Sequence, residues 1–161
     1  KAALTGHLVL STLHTNDAAG VIPRLIDMGV PPFLIASSLI LAQAQRLYRK
    51  LCPLCKKPTE VNPDVLVANH IDPAFFEGAT LFEAGGCPKC NNIGYKGRGA
   101  FMEVLPVSDA IRGATVKGSP ADVLRNIAIQ EGMATLKDVG LMKVRSGITS
   151  LHAALEVTGS E

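Results

Sequence analysis

Cys52-Pro-Leu-Cys55 and Cys87-Pro-Lys-Cys90 repeat one four-residue pattern with 31 residues between them, and they hold every cysteine of the chain. No other feature constrains the fold as strongly. A two-residue gap lets both sulfurs of a pair face one ion, and a closed Zn²⁺ site takes four soft ligands in a tetrahedron. A redox dithiol, paired disulfides and an iron centre are the competing readings. Redox motifs rarely come as matched pairs and disulfides suit secreted chains, so zinc is the expectation. With all four positions filled by thiolates the metal is structural, and its role is to fold a segment too loop-rich to fold otherwise. Lys56, Lys57 and Lys89 stand beside the pairs and are expected to offset the charge of a tetrathiolate.

The texture of the chain changes around these pairs, and three segments are expected. Residues 1–50 carry a strand and helices, 51–105 form the cysteine module, rich in Pro, Gly, Asn and Lys, and 106–161 form a small helical subdomain. In the first segment the β-branched and Leu run over 7–13 predicts a buried strand. Thr15, Asn16 or Asp17 is expected to cap a helix through Gly29, kinked or delayed at Pro23. After Pro31-Pro32, the apolar stretch from Phe33 to Leu51 predicts a long helix whose end turns basic at Arg46, Arg49 and Lys50. In the module, Asn62-Pro63 predicts a helix start, and the glycines at 94, 97 and 99 predict a turn into the strand over 100–105. Ser108, Ser119-Pro120, Thr135 and Thr149-Ser150 each open a short helical pattern in the last segment.

Composition narrows the partners. Hydrophobic residues make up 47% and aromatics 4%, so the core is expected to be rich in Leu, Ile, Val and Ala and mainly helical with some strand, and disorder is not expected. A formal charge of +2 gives no broad field for nucleic acid or anionic lipid. The run over 33–44 is too short to span a bilayer, and no secretory signal opens the chain, so a cytoplasmic protein is expected. Lys1-Ala-Ala-Leu reads as the tail of a helix already under way, hence as part of something larger.

Polar groups crowd the end of the 7–13 run: Ser11, Thr12, His14 and Thr15, with His7 at its start. Ligands of open α/β sheets bind beyond the carboxyl ends of strands, so His14 and the hydroxyls suit the orientation of a polyphosphate. Lone histidines more often have structural roles, and His70 and His152 read as surface or packing residues. Arg98, on its expected turn, has the reach for a phosphate. Yet the chain contains no G-x-x-x-x-G-K-[ST] loop and no apolar strand ending in a Mg²⁺-binding acid. It holds half a nucleotide site.

The segments around TGHLVLSTLHTNDA, RLIDMG, AQRLYRKLC, the two CPxC pairs and GYKGR, in that order, resemble the C-terminal part of the secretion and pilus-assembly ATPases, the type II secretion and type IV pilus extension motors of bacteria. The resemblance implies an α/β fold: the C-terminal part of a RecA-like P-loop ATPase core with a Cys₄ zinc module and a helical subdomain. It implies zinc on Cys52, Cys55, Cys87 and Cys90. His7 and His14 would act at the phosphates of ATP, with Thr12 and Arg98 as further contacts, and Mg²⁺ and the phosphate loop would come from outside this chain. It also implies a homo-hexamer at an inner-membrane platform protein, with no membrane insertion and no nucleic acid. Tyr48, where an aliphatic residue is common, and His152-Ala153, where acids often stand, depart from the pattern. A zinc-ribbon module binding nucleic acid or protein is the alternative; it calls for a basic, aromatic face.

Overall fold

The computed structural model describes residues 2–159; Lys1, at the head of the expected helix tail, lies outside them. Seven helices and four strands follow in order among these residues: α1 (Val21–Asp27), α2 (Pro32–Ser38), β1 (Leu41–Leu51), β2 (Lys57–Thr59), α3 (Pro63–Ala68), β3 (Leu81–Glu83), β4 (Tyr95–Pro106), α4 (Asp109–Val116), α5 (Ala121–Gln130), α6 (Leu136–Arg145) and α7 (Leu151–Thr158). Strand β1 pairs with β4, and β2 with β3. Two compact units result, one made of residues 1–45 and 102–135, the other of 46–101 and 136–161. Their limits do not follow the three consecutive segments of the sequence, since α4 and α5 belong to the first unit and α6 and α7 to the second.

Two elements differ from expectation. Residues 7–13 form no strand; they are irregular, with Leu8 80% and Leu10 88% exposed. An apolar β-forming run needs neighbouring strands to satisfy its backbone, and no described strand pairs with it. The expected long helix is a short one followed by a strand. Pro32 opens α2, Leu39 turns extended at ψ 123°, and β1 then runs from Leu41. Ala42, Ala44 and Tyr48 are buried between exposed Leu41, Gln43, Gln45 and Leu47, which is the period of two of a strand. Arg46, Arg49 and Lys50 therefore lie along a strand, not at a helix C-terminus.

In the first unit α2 packs on α4, and α4 on α5. Ile22, Ile35, Leu105, Ile111 and Leu124 fill its core. Alternation along β4 also buries Glu103, whose Oε1 accepts the Ala18 N–H at 2.9 Å. The carboxylate thus serves a backbone donor that burial would otherwise leave unpaired. Asp17 caps the entry to α1 by accepting from Gly20 N–H at 2.7 Å and pairs with Arg125 at 3.6 Å. Ser108 accepts from Ile111 N–H as the α4 cap.

The second unit packs α7 on α6, with Phe101, Leu136, Val144, Ala153 and Ala154 buried. Tyr48 stacks on Phe101 at 4.1 Å between centroids. Gly99 is what admits it: a Cβ there would lie 2.5 Å from the Tyr48 ring. The large residue at 48 is thereby accommodated by a missing side chain on the strand. Ser150 caps α7 through Ala153 N–H and meets the Tyr95 hydroxyl at 2.7 Å. The expected caps at Asn62, Ser108 and Ser150 all form, because each depends only on residues two or three positions away.

Candidate metal centre and the histidine segment

Each cysteine pair is a tight turn that presents two sulfurs on one side. In the first, the N–H groups of Cys55 and Lys56 donate to the Cys52 carbonyl at 3.3 and 3.0 Å. In the second, Cys87 leads into a 3₁₀ turn over Pro88–Cys90. Asn91 and Asn92, both left-handed at φ 53° and 59°, then reverse the chain. Short amide side chains tolerate that conformation best after glycine. The reversal brings Gly94 N–H to the Cys90 sulfur at 3.2 Å, where Cys87 N–H also donates at 3.4 Å.

The two turns are held together by backbone. Cys52 N–H donates to the Gly94 carbonyl at 2.9 Å. Between them, β2 and β3 pair antiparallel with Lys57 opposite Glu83, so the intervening chain leaves and returns at nearly one place. Gly85 makes the approach close enough, because a Cβ at that position would collide with the Cys55 carbonyl oxygen. The Gly85-Gly86 pair just before Cys87 is the sequence signal for this contact, and reasoning from cysteine spacing alone misses it.

All four sulfurs lie within 4.8 Å of one another. Cys52 to Cys87 is 3.9 Å, and Cys55 to Cys90 and Cys87 to Cys90 are each 3.7 Å. Four thiolates on a tetrahedral Zn²⁺, each at about 2.3 Å, stand about 3.8 Å apart. A disulfide needs about 2.05 Å. The donor set therefore fits a tetrahedral, thiolate-loving ion and is not a pair of crosslinks.

The charge on these sulfurs is unevenly held. Desolvation and then the thiols of Cys90, Cys52 and Cys87 push the Cys55 thiol up to about 12. Desolvation also acts to raise Cys90, but the N–H groups of Cys87 and Gly94 and the neighbouring thiols outweigh it and bring Cys90 down to about 6. The backbone N–H groups thus favour the thiolate at Cys90, while burial and the neighbouring thiols favour the protonated form at Cys55. Lys56, expected to offset this charge, donates to the Gly147 carbonyl at 2.8 Å and lies over the Phe82 ring.

The nucleotide candidates are placed differently. His7, Thr12 and His14 are carried by the irregular segment of the first unit, all three exposed, with Thr5 Oγ1 and His7 Nδ1 3.0 Å apart. Arg98 is exposed in the second unit, on β4 itself and not on a turn; the turn lies before it, at 91–94. His70 and His152 are exposed as expected. Of the proposed site residues, the described fold brings together the four cysteines.

Residues 1–156 match the family described as Type II/IV secretion system protein. The type IV pilus assembly ATPase PilB of Myxococcus xanthus is 48% identical over 99% of this chain and 28% of its own length. The protein of the same name from Thermus thermophilus is 47% identical over 98% of this chain and 18% of its own length. The type II secretion system ATPase E of Vibrio cholerae is 46% identical over 98% of this chain and 31% of its own length. The chain thus spans less than a third of each of these relatives. A family match from residue 1 to 156, with 48% and 46% identity over 99% and 98% of the chain, establishes that the chain belongs to the type II/IV secretion system proteins.

Proposed function

We propose that this chain is the C-terminal part of a hexameric ATPase motor that powers pilin assembly in type IV pili or pseudopilin assembly in type II secretion. The observation that carries the reading is the near-complete alignment with proteins named as pilus assembly and secretion ATPases. Within it, the chain contributes a RecA-like core segment, a structural zinc on Cys52, Cys55, Cys87 and Cys90, and two histidines for the nucleotide site. The exposed apolar run over 7–13 supports this assignment, since it is a strand sequence without strand partners among the described residues. Its partners would be the core strands of the longer protein.

At the phosphates His7 and His14 donate to the charge that builds on the transferred phosphoryl oxygens, Thr12 adds a hydroxyl contact, and Arg98 is a further phosphate contact. ATP and Mg²⁺ are held by a phosphate loop and acidic residues that these 161 residues do not contain. The motor works in the cytoplasm at the inner membrane and docks on a platform protein. No helix among the described residues is long and apolar enough to cross a membrane.

The test compares ATP hydrolysis by this chain with that of the protein extended N-terminally through a G-x-x-x-x-G-K-[ST] loop. The expected result is no turnover by the chain, turnover by the longer protein, and a loss of about 10²-fold in kcat for H7A or H14A, the scale of a missing transition-state donor. Turnover that both substitutions leave intact would remove the histidines from the mechanism.

A further inference from the structure

The segment between the two cysteine pairs has a composition unlike the rest of the chain. Lys56 and Lys57 open it; from residue 58 to 86 it carries Glu60, Asp64, Asp72, Glu77 and Glu83 and no Lys or Arg, so that it is net −3 where the whole chain is formally +2. The same segment encloses a groove of about 580 Å³. Its floor is Leu66, Phe76 and Leu81, all buried, and Glu60 and Glu77 stand exposed among its lining residues.

The cations of α6 that pack against this segment are already engaged. Lys137 donates to the Asn69 carbonyl at 2.7 Å, and Arg145 lies over the Phe75 ring. Among the described residues neither Glu60 nor Glu77 forms an ion pair. An apolar trough bordered by uncompensated carboxylates selects for a ligand with apolar anchors and flanking cations. Acidic peptides and free anions are repelled from the same surface, and a purely apolar ligand forfeits the favourable charge contact.

We propose that this groove is a docking site for a basic amphipathic segment of a partner protein, seated with its apolar side chains against the exposed Pro63, Pro73 and Ala74 over the buried floor and its Lys or Arg residues toward Glu60 and Glu77. The site lies wholly in the second unit and is independent of nucleotide chemistry. It gives the segment between the cysteine pairs a use beyond closing the loop: the pairs fix the two ends, and the acidic lobe between them meets the partner.

The probe is a fluorescent peptide of Lys and Leu with the leucines at helical spacing, titrated with the full 161-residue chain in its zinc-loaded form. Fluorescence anisotropy is expected to rise with saturation, to weaken as salt is raised, and to fail with a Glu and Leu peptide of the same pattern. The double variant E60K/E77K is expected to weaken the Lys and Leu peptide about tenfold, the scale of turning two attractive carboxylates into repulsive cations. A second variant, D109K/D122K, changes charge equally on the first unit and is expected to bind like the parent. Equal weakening by both double variants means that only net charge is sensed, and it overturns the proposal. So does tight binding of a Lys and Ser peptide without leucines, or a sedimentation profile in which the chain alone associates through Glu60 and Glu77 and excludes the peptide.

Discussion

The cysteine pairs and the histidine segment are both short motifs rich in chemistry, yet one forms a closed site and the other does not. The difference lies in where their partners are. Each pair is shaped by its own turn, and the two are joined by a backbone bond from Cys52 to Gly94 and by the pairing of β2 with β3. His7, Thr12 and His14 instead sit on an irregular run whose Leu8 and Leu10 face solvent. A metal site carries its geometry in sequence spacing; a strand-end site needs the sheet around it. Local chemistry is self-sufficient only when the fold that positions it is local too.

The sharpest way to break that comparison is to remove the metal. Binding of structural zinc is worth on the order of 10 kcal/mol at neutral pH in small zinc modules, and here few buried side chains stand in for it between residues 52 and 90. A chelator or C87A is therefore expected to unfold the cysteine module and the packing around it. Elemental analysis should give one zinc per parent chain, and calorimetry should show the transition abolished or moved far down. A C87A chain that melts like the parent would falsify the structural role of zinc.

Next in size is Gly85. Alanine there forces its Cβ onto the Cys55 carbonyl, so one of the two pairs must shift. The expected cost is about 3 kcal/mol, the scale of a strained buried backbone position, with weaker zinc retention measured by chelator competition. Glu103→Ala makes the matching change in the other unit, stripping Ala18 N–H of its acceptor at a cost of about 1–3 kcal/mol. Its zinc retention should equal that of the parent. Loss of zinc in E103A would show that the two units do not carry their stabilities separately.

Acid should act on zinc before it acts on the rest. Cys55, held up to about 12, must release a proton for the metal, so zinc affinity rises with pH and falls as pH falls. Cys90 lies lowered at about 6, below its ordinary value of 9.0. Lowered in this way, Cys90 stays a thiolate to lower pH than its ordinary value allows, and it too is protonated as pH falls. Both signs agree on the acid side. Zinc release followed with a chromogenic chelator should therefore grow as pH is lowered, since protons compete with the metal for the sulfurs. Zinc retained unchanged down to the pH at which the whole chain unfolds would overturn the thiolate assignment.

What could be read in advance follows the same division. The cysteine set was legible because spacing alone specifies it, and the caps at Asn62, Ser108 and Ser150 because each is a contact over two or three residues. The helix expected through Leu51 was not. Ala42, Gln43, Ala44 and Gln45 are helix formers, and only their pairing with β4, far along the chain, makes them a strand. The strand expected over 7–13 failed in the opposite direction, since its β-forming residues find no pairing among the described residues. In both cases intrinsic preference was overridden by the presence or absence of a neighbour. Gly85 and Gly99 show a subtler limit: glycine marks a close approach, but which residue approaches, Cys55 or Tyr48, is a tertiary fact.

The smallest expected change in stability is also the most discriminating. His7 and His14 lie on a segment outside regular structure and outside the core, so replacing either with alanine in this chain should move the unfolding free energy by less than about 0.5 kcal/mol. Their measured effect belongs to the longer protein, in which the same substitutions should lower ATP hydrolysis while zinc content stays at one. A cysteine substitution should show the reverse priority, with zinc and folding lost first and activity only as a consequence. If H7A or H14A instead destabilises this chain by several kcal/mol, the segment is already part of a packed structure, and its polar residues serve the fold and not a nucleotide. The stability of the histidine variants thus decides whether residues 7–14 are a site awaiting its sheet or a structural element in their own right.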